Sequence, residues 1–141
     1  MRAATALLCC AVLLRAAPVR AGDVVVIVSA RSAVKSLTVT EASDLFLGRA
    51  TDFPNGARAT PLDQGEGSPV RDAFYLKGSG KAPAQMKAYW ARMLFTGRGE
   101  PPVESGDSAA IKRLVAANPG MLGYIDRDAL DASVRAVLTV H

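Results

Sequence analysis

Three observations predict a three-layer α/β fold for this 141-residue chain. Val24-Val25-Val26-Ile27-Val28 is an unbroken, mostly β-branched run, as expected of a strand buried on both faces. Short strand-like runs and amphipathic helical segments interleave along the rest of the sequence, which sets helices against the faces of a sheet. From Asp63 to Tyr75 a glycine-bearing loop and a Ser-Pro helix start follow one another directly.

Each element has a local cause. After a polar connection over 29–37, Thr38-Val39-Thr40-Glu41 forms a capping box, with Glu41 reaching back to the start of a short helix. Ala42, Leu45 and Phe46 share one face of that helix, and Gly48 ends it. Phe53-Pro54-Asn55-Gly56 is a turn, and Arg58 to Leu62 reads as the second strand. Ser68 caps the next helix and Pro69 presets its first turn, which runs to Gly78-Ser79-Gly80. Ala82 to Phe95 carries Met86, Tyr89, Trp90, Met93 and Leu94 at helical spacing, an apolar stripe expected in the core. Arg98 to Gly106 is a Gly- and Pro-rich loop. Asp107 caps a helix burying Ala110, Ile111, Leu114 and Val115, which Asn118-Pro119-Gly120 ends. Leu122 to Ile125 and Val134 to Val140 are the last strands.

The first 21 residues read differently. Arg2, the apolar run Ala3 to Leu14 and Val19-Arg20-Ala21 have the layout of a secretory signal peptide with a small-residue cleavage site. That run is shorter than the ~20 residues a membrane span requires. Residues 22–141 are the expected mature unit, 120 residues without cysteine, because Cys9 and Cys10 lie in the leader. The formal charge of +4 falls to +1 for that unit, with 14 basic against 13 acidic residues. So small an excess is no electrostatic footprint for nucleic acid. The expected setting is periplasmic or secreted.

Catalytic constellations are missing. Gly78-Ser79-Gly80-Lys81 lacks the earlier glycine and the following Ser or Thr of a phosphate loop, since Tyr75 and Ala82 occupy those places. The single histidine is His141, the last residue. A histidine-based triad or zinc site would have to be built on that terminus. Asp126, Asp128 and Asp131 lack the glycine and glutamate of a calcium loop, so a solvated helix start is expected there. No enzyme, metal or cofactor is expected.

The loop Asp63-Gln64-Gly65-Glu66-Gly67-Ser68-Pro69-Val70-Arg71 is the candidate site. A helix start offers amides without intrahelical partners and a partial positive charge, and a glycine loop lets an anion approach them. Arg71, one turn in, adds a bidentate cation. Read from these residues alone, an ordinary solvated helix start is the commoner outcome. Arg98, between two glycines, reads as a solvated loop charge in preference to a ligand contact.

The loop, with Trp90, Gly97-Arg98-Gly99 and Asn118-Pro119-Gly120-Met121-Leu122-Gly123-Tyr124-Ile125 after it, resembles the second lobe of the periplasmic phosphate-binding proteins. These are the substrate-binding components of phosphate ABC transporters. Val34-Lys35-Ser36-Leu37-Thr38 and Asp44-Leu45-Phe46-Leu47-Gly48 are similar to the entry to that lobe. The resemblance implies one periplasmic-binding-protein-like lobe over residues 22–141, with a mixed central sheet. It also implies a phosphate or related oxyanion held by Gln64, Gly67, Ser68 and Val70, to which Arg71 would add a charge from outside the family's positions.

The family loop reads Arg, any residue, Asp, Gly, Ser, Gly, Thr. Here Gln64 stands for the arginine, Glu66 for the aspartate, and Pro69 and Val70 for the last two. Proline cannot donate a backbone hydrogen bond. With a charge, a hydroxyl and an amide donor lost, and no second lobe to close over the ligand, weak binding is expected. The rival expectation is a ligand-free accessory or protein-interaction domain of the cell envelope. A second copy, or an envelope or transporter protein, is the partner either reading suggests.

Overall fold

The computed structural model describes residues 22–141; the signal-peptide reading lies outside the described residues. Five strands form one mixed sheet in the order β3-β2-β4-β1-β5. They are β1 (Val24–Ser29), β2 (Thr60–Asp63), β3 (Val103–Glu104), β4 (Met121–Asp126) and β5 (Val134–Val140). The helices are α1 (Val39–Phe46), α2 (Pro69–Ser79), α3 (Pro83–Phe95) and α4 (Ser108–Ala117), with a 3₁₀ turn at Arg127–Ala129. β1 runs antiparallel to β4 and β5, whereas β2 is parallel to β4 and β3.

The β1 run explains the layering. Side chains alternate across a sheet, so Val24, Val26 and Val28 pack with α1, α2 and α3 residues on one face. Val25 and Ile27 pack with Ile111 and Val115 of α4 on the other. All six residues of β1 are buried. Burying both faces demands apolar residues at consecutive positions, and the sequence supplies them.

The larger core is aromatic. Phe74 of α2 stacks on Tyr124 of β4 at a centroid distance of 4.1 Å, and Phe46 of α1 meets Phe74 edge-on at 4.8 Å. Tyr89 anchors α3 to the end of α1 by donating to the Leu47 carbonyl at 2.6 Å, and it meets Trp90 edge-on. On the opposite face, Gly123 permits α4 to lie directly on β4. A Cβ there would collide with Ile111, so the helix approaches closely only because glycine is present.

The expected capping box is formed. The Glu41 amide donates to the Thr38 hydroxyl at 3.1 Å, and the Thr38 amide donates to the Glu41 carboxylate at 2.8 Å. Several expectations need correction. The second strand begins at Thr60 because Arg58 pairs instead with Asp52 in an isolated bridge. The Gly- and Pro-rich loop contains β3, which pairs with β2 at Leu62 and Asp63. Leu94 is 54 % exposed and Leu114 40 % exposed, although their spacing placed them in the core. α4 lies against the sheet and α3 against α2 and the end of α1, each along one face, so the edges of their apolar stripes face solvent.

Trp90 is buried as expected, at 6 % exposure. Replacing it with alanine should cost about 3–5 kcal/mol of stability, the range for a buried aromatic. Denaturant melts of Trp90→Ala read this directly, and a loss below about 1 kcal/mol would contradict the packing described.

Candidate functional site

The candidate loop leaves β2 at Asp63 and enters α2 at Ser68. Gly67 has φ of +88° with nothing within 4 Å of a Cβ built on it. That left-handed conformation favours glycine and leaves open space beside the helix start. Ser68 is the N-cap and accepts from the Arg71 amide at 3.2 Å. Its carbonyl takes the Asp72 amide, while Pro69 has no N–H. Among the described residues this leaves the Val70 amide as the first-turn donor without an intrachain partner.

Gln64 is 3 % exposed and works inward. Its Nε2 donates to the Ser108 hydroxyl and the Tyr124 carbonyl, each at 3.1 Å, and its Oε1 accepts from the Ser68 hydroxyl at 2.9 Å. The side chain ties the α2 start to α4 and β4. The structure therefore brings Gly67, Ser68, Val70 and Arg71 together at the surface, with Gln64 beneath them. Arg98 stands apart, exposed on its own loop.

Below the loop is a carboxylate that sequence reasoning did not single out. Asp63 is 1 % exposed. Oδ1 accepts from the Gln64 amide at 3.0 Å and from the Tyr124 hydroxyl, and Oδ2 accepts from the Tyr75 hydroxyl at 2.9 Å. Arg71 Nε lies 3.6 Å from Oδ2. Burial pushes the Asp63 carboxyl above its ordinary value of 3.8, outweighing the Tyr124 hydrogen bond, the Arg71 charge and the remaining donors. Burial, together with the Asp63 charge, also raises the Tyr75 and Tyr124 hydroxyls, so both stay protonated as donors. The available signal was that Tyr75 follows Arg71 by four residues on one helix face. Tyr124 is 61 residues from Asp63, and no local pattern joins them.

Arg71 has two long ion pairs, 3.6 Å to Asp63 and 3.9 Å to Glu104, and its guanidinium lies over the Tyr75 ring. Neither pair is short enough for a hydrogen bond. Its side chain is only 15 % exposed. It lines a cleft of about 310 Å³ between α2 and α3, walled by Tyr75, Met86, Trp90 and Leu94. Among the described residues no three carboxylate, histidine or cysteine side chains come together as a metal-ligand group.

Solved structures place this architecture. A phosphate-bound protein from Clostridium perfringens, assigned as a phosphate ABC transporter substrate-binding protein, matches with 28 % identity and a TM-score of 0.65, over 82 % of this chain and 44 % of its own. The chain has the fold of one periplasmic-binding-protein-like lobe. An ABC-type phosphate transport receptor from Vibrio cholerae matches this lobe at 17 % identity and a TM-score of 0.64, over 82 % of this chain and 45 % of the receptor. PstS from Borrelia burgdorferi does so at 10 % and 0.56, over 82 % and 46 %. The lobe thus spans under half the length of these proteins. No family model matches the lobe, and no curated protein does.

A raised carboxyl pKa carries a definite sign. The folded lobe holds the Asp63 proton more tightly than the unfolded chain does, so this residue's contribution falls as pH rises from the ordinary carboxylate range through the raised value. The difference in unfolding free energy between the wild type and Asp63→Asn should therefore narrow with rising pH across that interval. Denaturant melts at a series of pH values measure it. A difference that widens instead would mean that the hydrogen bonds outweigh burial.

Proposed function

We propose that the chain is an exported solute-binding-type lobe that takes phosphate or a related oxyanion weakly at the start of α2. The observation carrying this reading is Arg71: a side chain only 15 % exposed that hydrogen-bonds to no described residue, next in sequence to Val70, whose amide has no intrachain partner. An anion at this point would accept from Val70 and Arg71 and approach over Gly67, while the Ser68 hydroxyl, whose proton goes to Gln64, holds the helix start in place from below. The phosphate-bound neighbour supports a solute-binding role for the fold. Export to the periplasm or beyond rests on the leader-like first 21 residues. No helix of the described residues is long and apolar enough to cross a membrane.

Weakness follows from the charges. Asp63 and Glu104 already stand within 3.6 and 3.9 Å of Arg71 and offset part of its attraction for an anion. One wall is open to water, where each ionic contact is worth far less than in a closed site. A second copy, or an envelope or transporter protein, is the source of a second wall in this reading. The lobe carries no catalytic role in it. The second reading, an envelope interaction domain without a ligand, is favoured by Phe95, which is 93 % exposed next to the exposed Leu94.

Phosphate titration followed by amide NMR separates the two. The expected Kd is about 0.1–10 mM, or about 3–5 kcal/mol, with shifts confined to Gly67 through Arg71 and lost in Arg71→Ala. A spectrum unchanged at tens of millimolar phosphate, roughly the weakest binding considered, would leave the interaction reading in its place.

A further inference from the structure

The α2–α3 cleft is larger and chemically more varied than an inorganic anion requires. Its volume of about 310 Å³ corresponds to about ten water-sized groups at about 30 Å³ each, roughly twice the heavy-atom count of phosphate. It falls at the lower end of the range used by small organic ligands, about 300–1,000 Å³. The floor is apolar, formed by Tyr75, Met86, Trp90 and Leu94.

The charged lining is balanced, with Arg71, Lys81 and Lys87 against Glu66, Asp72 and Glu104. α2 and α3 are joined by residues 80–82 alone, so Lys81 marks the closed end of the helix pair. Arg71 and the three carboxylates gather toward the start of α2, where Arg71 and Glu104 pair at 3.9 Å. A simple anion meets the three carboxylates unfavourably, and a simple cation meets Arg71 and the lysines. A neutral hydrocarbon leaves the guanidinium without acceptors. A molecule with both charges on one carbon and an apolar body satisfies all three regions.

We propose that this cleft binds a free amino acid with an apolar side chain, leucine being the representative. Its carboxylate accepts from Arg71, its ammonium donates among Glu66, Asp72 and Glu104, and its side chain lies on Met86, Trp90 and Leu94. Leucine has about nine heavy atoms, close to the roughly ten water-sized groups that the cleft accommodates. The inference does not rest on the phosphate reading. It shares Arg71 with that reading but stands on the volume, floor and charge balance of the cleft. Trp90 is the only tryptophan of the chain, and its indole N–H is buried without a hydrogen-bond partner. The cleft wall therefore contains its own fluorescent reporter.

The test is titration of the full chain with L-leucine while Trp90 emission is followed. Isocaproate, which lacks the ammonium, and isopentylamine, which lacks the carboxylate, are the comparison ligands. The expected result is a saturable change with L-leucine, with both comparison ligands at least about tenfold weaker, the loss expected for one charge-assisted contact. Ala91→Phe, at an exposed α3 position lining the cleft, should weaken leucine by about tenfold or more through lost volume. No saturable change up to about 100 mM, equal affinity for the comparison ligands, or an unaltered response in Ala91→Phe would overturn the inference. Amide shifts with phosphate but no leucine response remove this inference and keep the phosphate reading. The reverse pair of results supports this inference and removes that reading.

Discussion

A carboxylate taken out of water is the constraint around which this lobe is arranged. Asp63 ends β2 at 1 % exposure, where an unpaired charge would cost several kcal/mol or more. Three hydrogen bonds and one cation offset part of that cost, and they come from different elements. Tyr124 belongs to β4, Tyr75 and Arg71 to α2, and the Gln64 amide to the loop between β2 and α2. Satisfying one buried group therefore fixes β2, α2 and β4 relative to one another. The aromatic stack of Phe74 on Tyr124 then packs around an arrangement whose register is already set.

The same carboxylate shapes the surface site. It draws Arg71 inward, orders its side chain against the Tyr75 ring, and leaves its N–H donors turned to neither Asp63 nor Glu104 at hydrogen-bonding distance. An ordered cation has less entropy to lose on binding than a solvated one. Its field is also partly spent on the internal carboxylate, so affinity for a bare anion is reduced. Gln64 makes a parallel substitution. An amide there can hold Ser68, Ser108 and the Tyr124 carbonyl at once, a bridging role that needs both donor and acceptor. The loop is thereby stiffened from within.

Features governed by local chemistry were legible in the sequence. The β1 run, the Thr38–Glu41 capping box and the Ser68-Pro69 helix start are each written within a few residues and appear where expected. The burial of Trp90 followed from helical spacing. What stayed hidden depends on distant partners. β3 is two residues long and exists because β2 lies beside it. Leu94 and Leu114 fit a buried stripe by spacing, but both stand at the edge of it and are left exposed. Asp63 read as the first residue of a loop, and its role depends on Tyr124 across the core. At the site, the position of the helix start was readable and the internal use of Gln64 was not.

Coupling between the two tyrosine hydroxyls is the most direct measure of that shared carboxylate. Tyr75→Phe, Tyr124→Phe and the double variant form a cycle in which each step removes one donor to Asp63 and little volume. If both hydroxyls serve the same buried charge, their effects on unfolding free energy depart from additivity by about 0.5–3 kcal/mol. Additive losses, within about 0.3 kcal/mol, would show that the two hydroxyls act independently and that Asp63 is not the interaction on which the lobe depends.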